Sequence, residues 1–430
     1  MKKIVLHLPC TLAFILLMMV HSACTDDEFA GFSYDPEGAV ITTDKPINPQ
    51  KKRSFGSLYK DLWITNEFSG ARLSNFYESD TGFVAVIAPE RQPVNNSPWY
   101  AFKLWGSYEN SFTLKVRYWG GEHRYHPKIS TDGIHWEPLQ EKKVSLSADS
   151  SAALLNLQLP PTSDSLWVSA QEIITPVHLN RWINNKLDSP TVTVDSVGRS
   201  ALGKPIQRII ITDRETADTK KGVLIITSRQ HSPEVSGDLA MRAFTEGFIT
   251  QDSLATAFLQ NFEVHLFPMV NPDGAEAGHW RLNANGADLN RDWEAFNQPE
   301  TQAVRDALLP LKKREDRKVF YHIDFHATDE HVLYPILPEI EKFPGNVTEQ
   351  WLKQIKADVP EYPFRAEPFD TTAPIAKNWM FKTFGADGVT FELYDETDRD
   401  VIQKLGQHSN RLLMRLLLDA YKKQQLLTAK

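Results

Sequence analysis

The rhythm of hydrophobic and polar positions changes once along the chain. Between about residues 54 and 168 apolar residues alternate with polar ones, the two-residue period of half-buried strands. In "SFTLKVRYW", Phe112, Leu114, Val116 and Tyr118 fall on one side, and Gly120-Gly121 ends the run. "STDGIHWEPL" carries an Asp132-Gly133 turn ahead of a short strand ending at Trp136. Short strands with turns between them predict an all-β sandwich. After about residue 170, apolar runs at 206–212, 222–227, 262–268, 319–325 and 388–393 alternate with helical spacing at 237–247, 300–312, 346–357 and 400–424. In the last stretch Ile402, Leu405, Leu412, Leu413, Leu416 and Leu417 repeat at helical intervals. Strands alternating with helices predict an α/β domain, a mixed, largely parallel twisted sheet flanked by helices.

The pattern divides the chain into an export segment over 1–24, a polar linker over 25–53, a β-sandwich over 54–168 and the α/β domain over 169–430. The linker reads as a tether because it is polar and aperiodic. At 430 residues the chain accommodates two domains and a large core. Its 41% hydrophobic and 24% charged content is globular. A net charge of -8 without a basic stripe excludes nucleic acid as the expected partner.

The first residues form a targeting signal. Lys2 and Lys3 precede an apolar run from Leu12 to Val20, followed by "HSACTDDE". The run is short for a membrane span. The two cysteines are Cys10 and Cys24, and Cys10 lies within the signal, so a chain starting at Cys24 has no internal disulfide. Cys24 directly after Ser22-Ala23 resembles the cleavage site of bacterial lipoproteins, whose cysteine carries the lipid. His21 departs from that pattern, which usually has leucine there. The resemblance implies an exported, lipid-anchored protein of a bacterial cell envelope, with a membrane as partner. An unmodified cysteine beside an ordinary cleavage site is the alternative.

Four polar clusters fall where apolar runs end, the place where open α/β sheets gather ligands. They are "TSRQHSPEVSG" at 227–237, "FPMVNPDGAEAGHWRLNANGADLNRDW" at 267–293, "YHIDFHATDEHVLYP" at 321–335 and "GVTFELYDET" at 388–397. His231 and Glu234 offer one nitrogen and one oxygen ligand, and His326, which follows Val319-Phe320-Tyr321 and Asp324, offers a third. Two histidines and a glutamate are a known donor set for catalytic zinc. Alone, His-x-x-Glu is weak, because a chain with 13 histidines matches it readily by chance.

The company of the motif carries more. "RQHSPE", "NPDG", "DLNRDW", "DFHATDEHVLYP" and "TFELYDETDR" occur in the order of the M14 zinc carboxypeptidases, and the chain resembles that family from about 170 to 430. "SPWYAFKL" and "ISTDGIHW" are similar to the β-sandwich ahead of the peptidase in its cytosolic-carboxypeptidase branch and their bacterial relatives. The "S-x-DG-x-x-W" turn also occurs in sugar-binding jelly rolls. The resemblance implies one zinc per chain on His231, Glu234 and His326, with Asp288 bonded to the first histidine. It implies Asn290 and Arg291 as receivers of a substrate's terminal carboxylate, Arg281 as stabiliser of the oxyanion and Glu392 as general base. Peptide or protein C-termini are the implied partners. Counting fifteen residues back from Glu392, as the resemblance suggests, puts Lys377 at the end of the specificity pocket, which implies a preference for acidic C-terminal residues.

Each residue also has an ordinary reading. Arg281 suits a surface ion pair, Asp288 and Asn290 suit a turn that caps a helix, and Lys377 suits an exposed helix face. Glu392 inside the apolar run Val389–Leu393 is hardest to explain this way, because a buried carboxylate needs partners. His265, His279 and His322 read as structural or surface histidines, Trp280 and Trp293 as packing. Asp395, Glu396 and Asp398 read as a solvated acidic loop or a cation site. One departure stands out: the window "DTTAPIAKNWMFKTFG" holds no tyrosine to close over a substrate, as the archetypal enzymes have. Two other functions share the pattern. One is a zinc amidase acting on cell-wall or other acyl-amino-acid substrates. The other is an inactive surface-binding lipoprotein, against which the intact set of ligands, base and arginines argues.

Overall fold

A computed structural model describes residues 42–161, 165–217, 219–367 and 371–428. The export segment, Cys10 and Cys24 lie outside the described residues. Residues 54–169 form two sheets whose apolar faces meet. The first has six antiparallel strands, ordered Ser54–Gly56, Leu62–Thr65, Ala101–Gly106, Leu166–Ser169, Lys128–Ser130 and Glu137–Pro138. The second has five strands, ordered Asn75–Ser79, Gly82–Ile87, Phe112–Tyr118, Ala152–Leu157 and Val144–Leu146, antiparallel except for the parallel pair Gly82–Ile87 with Phe112–Tyr118. Alternation sets the faces: Phe112, Leu114, Val116 and Tyr118 are buried, while Thr113, Lys115 and Arg117 are not. The Asp132-Gly133 turn differs in detail from its expected place. It joins Lys128–Ser130 to a strand beginning at Glu137, so Trp136 lies in the connection rather than at a strand end.

The second half is built on an eight-stranded sheet, ordered Val192–Arg199, Pro205–Ile211, Phe262–Phe267, Lys221–Ser228, Arg317–Thr328, Asp387–Tyr394, Val332–Pro335 and Arg365–Ala366. Its four central strands run parallel, while antiparallel pairs flank them. Helices cover both faces, so the central strands are buried on both sides and read as mainly apolar runs, broken at His265, His322, Asp324 and Glu392. Along Lys221–Ser228, Leu224 and Ile226 join the core under helices Val235–Glu246, Ser253–Asn261, Val347–Asp358 and Arg399–Thr428. Val223 and Ile225 join the opposite core under Pro299–Leu308 and Ala376–Phe384. Each of these four side chains is fully buried, a transfer contribution of about 1.5–3 kcal/mol apiece. No helix among the described residues is long and apolar enough to cross a membrane.

The described part of the linker is not a free tether. Lys45 N–H donates to the Asn285 carbonyl at 2.8 Å, and Asn48 N–H to that of Glu90 at 2.6 Å. The Gln298 amide donates to the Thr42 carbonyl at 2.7 Å, and that of Gln50 to the Ala277 carbonyl at 3.0 Å. Polar residues without a period lie against both halves of the chain, their hydrogen-bonding groups taken up by the loops they meet.

Candidate active site

The fully buried strand Lys221–Ser228 ends just before the first cluster. The chain then turns sharply at Arg229, whose φ is 53°. That left-handed backbone is uncommon outside glycine, and the Arg229 guanidinium is held by the carbonyls of Ser232, at 2.6 Å, and Ile174, at 3.1 Å. The turn delivers His231 and places Glu234 at the N-cap of helix Val235–Glu246. The Glu234 side chain does not cap that helix. Its two oxygens lie 2.7 Å from Nδ1 of His231 and 2.7 Å from Nδ1 of His326. His326 comes from the neighbouring parallel strand, one step beyond the Ser228–Phe325 pair. The helix must pass close beneath it: a Cβ on Gly237 would lie 2.4 Å from the His326 carbonyl oxygen.

The far nitrogens of both histidines are held as well. Asp288 Oδ1 lies 3.0 Å from His231 Nε2, and Asp324 Oδ2 lies 2.8 Å from His326 Nε2. Asp324 also accepts from the Gln230 amide at 2.8 Å and the Thr227 hydroxyl at 2.6 Å. Outer carboxylates of this kind fix which ring nitrogen carries the proton and leave the other for a metal. Burial opposes ionisation of Asp288, but the charges of Arg281 and His231 outweigh it and hold the carboxyl well below its ordinary range. Glu234 is likewise held low, mainly by the two histidines against the opposing effect of burial. One ligand atom each from His231, Glu234 and His326 lies within 4.8 Å of the others, and all three residues are buried. Two inward Nδ1 atoms, a shared carboxylate and carboxylates behind both rings fit a divalent cation, whose charge offsets the buried negative groups.

Glu392 completes the centre. It lies opposite His326 in the parallel pairing of Asp387–Tyr394 with Arg317–Thr328. Its Oε2 is buried and finds no hydrogen-bond partner among the described residues. Burial raises its carboxyl to about 7, and Glu234 adds to this, while His326 and His231 counter it. His231, Glu234, Glu392, Arg281, Asn290 and Arg291 all line one cavity of about 550 Å³. Arg281 Nε donates to Asp288 Oδ2 at 2.7 Å, so this arginine is buried against the site rather than placed in a surface pair. Asn290 is aimed by its own partners: its backbone N–H donates to Asp288 at 2.9 Å, and its Oδ1 accepts from the Ala376 N–H at 3.0 Å.

Lys377 is not brought into this set. It is 1% exposed, so it is neither on a solvent face nor among the cavity-lining residues, and its ammonium donates to the Pro335 carbonyl at 3.1 Å. The count from Glu392 reached helix Ala376–Phe384, but that residue turns to Pro335, while Ile375 and Tyr334, chain neighbours on either side of the bond, line the cavity. Two tyrosines, Tyr334 and Tyr394, line the cavity from outside the window that lacks one. Tyr394 was legible in principle, being two residues from Glu392 on the same strand face. Of the acidic loop, Asp398 is exposed, as a solvated loop predicts, but Asp395 and Glu396 are taken up by partners from the N-terminal half. Asp395 accepts from Arg124 Nε at 2.7 Å, and Glu396 from Lys128 at 2.9 Å and Gln171 at 2.8 Å. Asn95, Asn96, Glu122, His123 and Arg124, all from loops that join the N-terminal strands, line the same cavity. No local motif marked them, because their place depends on how the two halves pack.

A centre that sets a buried cation-binding triad beside an orphaned carboxylate and arginines belongs to the metal-dependent hydrolases, and comparison with known proteins narrows the class. Residues 179–372 match the model of the zinc carboxypeptidases, Peptidase M14. Over those residues the chain is similar to this zinc-dependent family, and the match supports a hydrolase of the metallocarboxypeptidase kind. An uncharacterized protein of Zymomonas mobilis is 23% identical over 315 residues, 69% of this chain and 78% of its own length. Cytosolic carboxypeptidase 2 of Xenopus tropicalis is 29% identical over 158 residues, 35% of this chain and only 16% of that relative. A metallo-carboxypeptidase structure from Burkholderia cenocepacia shares the fold, with a TM-score of 0.69, 19% identity, and coverage of 83% of this chain and 98% of that one.

Proposed function

We propose that the protein hydrolyses the C-terminal peptide bond of peptides or proteins, using one zinc ion held by His231, Glu234 and His326. The observation that carries this reading is the convergence of His231, Glu234, the Glu392 carboxylate, Arg281 and the Asn290-Arg291 pair on a single cavity, with His326 closing the donor set behind it. When bound, zinc supplies Lewis acidity. The Arg291 guanidinium and the Asn290 amide receive the substrate's terminal carboxylate, which a planar fork of donors suits. Arg281 meets the negative charge that develops on the carbonyl oxygen. Glu392 takes the proton from the attacking water and returns it to the departing amine. A carboxyl near 7 is matched to both directions of transfer at neutral pH.

Three finer elements belong to the same proposal. An acidic C-terminal residue is preferred, with Lys377 acting through the cavity wall rather than by contact, because a charge in a low-dielectric interior is felt beyond its first neighbours. Residues 54–168 form a β-sandwich unit ahead of the catalytic unit, which the two N-terminal sheets support. The chain is exported and lipidated at Cys24, which the run from Lys2 to Cys24 supports. The test is amino-acid release from peptides ending in glutamate, phenylalanine or arginine, on wild type and Lys377→Ala, with and without a chelator. Chelator-sensitive release, fastest from glutamate and losing that preference in Lys377→Ala, is the expected result. Release only from acyl-amino acids favours an amidase, and no release of any kind favours a binding protein.

A further inference from the structure

Glu90 belongs to the N-terminal half, between strands Gly82–Ile87 and Ala101–Gly106, and is fully buried. Its carboxylate accepts from three consecutive backbone N–H groups of the catalytic half: Trp280 at 2.7 Å, Arg281 at 3.1 Å and Leu282 at 2.9 Å. Successive N–H groups turned to one side form a cradle for an anion, and this chain fills its own cradle from 190 residues upstream. The Trp280 indole donates to the Trp99 carbonyl at 3.1 Å, pinning the same loop from the other side. Arg281 therefore has its backbone fixed by Glu90 and its side chain fixed by Asp288, which also holds His231. Between Trp280 and Asp288 the chain has no strand or α-helix of its own to set the direction of Arg281.

We propose that Glu90 is a positioning residue for Arg281, so that the N-terminal sheets complete the catalytic centre rather than serve as a separate binding module. The inference rests on the carboxypeptidase reading for the role of Arg281. A short displacement of an arginine that must meet a developing charge is costly, because preorganised donors act only at the right distance. A carboxylate that merely clasps two halves together would affect stability and leave turnover per folded molecule unchanged.

A double-mutant cycle separates the two. Glu90→Gln keeps the shape but turns an amide N–H towards one of the backbone donors, and Arg281→Ala removes the group it is argued to position. With a tripeptide substrate, folded Glu90→Gln should lose about tenfold or more in kcat, with KM within about threefold and zinc content unchanged. In the Arg281→Ala background the same change should cost less than about twofold. Multiplicative losses, or an unchanged kcat in folded Glu90→Gln, overturn the proposal. If the wild type hydrolyses no peptide, the carboxypeptidase reading fails by itself. The Arg281 Nε–H resonance, assigned by its disappearance in Arg281→Ala, then decides the question. A shifted or broadened signal in Glu90→Gln supports positioning, and an unchanged one refutes it.

Discussion

Replacing Asp288 by asparagine removes one negative charge while keeping the shape, and three contacts register the loss. Asp288 accepts from His231 Nε2 at 3.0 Å, from the Asn290 N–H at 2.9 Å and from Arg281 Nε at 2.7 Å. The first two share Oδ1 and the third uses Oδ2. An amide has one carbonyl oxygen, so it serves one side and turns an N–H₂ towards the other. Whichever way it settles, the charge that holds a proton on His231 Nε2 is gone. Loss of such a partner weakens metal binding about 10–100-fold, or about 1.4–2.7 kcal/mol. The Arg281 side chain, 10% exposed, is left facing a neutral group. Breaking a buried pair outright costs about 3–5 kcal/mol, and the retained amide contact brings the stability loss nearer about 1–3 kcal/mol. Zinc competition against a chromophoric chelator and calorimetric melting of the zinc-free protein read the two effects separately. The expected outcome is a zinc Kd raised tenfold or more together with a lower melting temperature. A variant that melts lower but keeps its zinc affinity would refute the claim that Asp288 orients His231.

Glu392→Gln should lower turnover at least about a hundredfold while leaving zinc content and melting temperature close to wild type; near-normal turnover would assign the base elsewhere. Because the Glu392 carboxyl is raised to about 7 and must be ionised to take a proton, kcat/KM should fall as pH drops through that region. A bound dication moves this limb to lower pH, and a limb that persists unchanged in Glu392→Gln would belong to another group. Gly237→Ala forces a Cβ to within 2.4 Å of the His326 carbonyl oxygen, and should destabilise by about 1–3 kcal/mol and weaken zinc binding; unaltered melting would show that the helix yields freely. Cys24→Ala should shift the protein from the membrane to the soluble fraction of cells, and an unmodified N-terminus on wild type would rule out the anchor.

Much of this site is legible in the sequence, for a physical reason. His231, His326 and Glu392 each sit near or just past the end of a strand buried on both faces, and such strands announce themselves as mainly apolar runs. The two halves also differ in period, so their architectures separate by eye. What resisted reading depended on packing between distant segments. Glu90 and Arg124 follow no repeat and carry no motif; they matter because the sheets they come from dock against the loops bearing Arg281 and Asp395. Lys377 shows the converse error, since a count along the chain gives a helix position but not the direction in which its side chain leaves the helix. Helices Pro176–Lys186 and Ser253–Asn261 and the edge strand Val192–Arg199 escaped because they are short or partly solvated, and their local pattern was weak beside that of the central strands.

The apolar cluster that begins with Leu62 and Ile64 in the first sheet continues through Trp99 and Trp280 to Leu413 and Leu417 in the last helix. There is accordingly no greasy-to-watery seam along which heat or denaturant could peel one half away. Melting should appear in a calorimeter as one endotherm, not two. A chain trimmed to begin at residue 170 would present the bared side of Trp280 and its neighbours to water and would tend to clump instead of yielding a compact minimal enzyme.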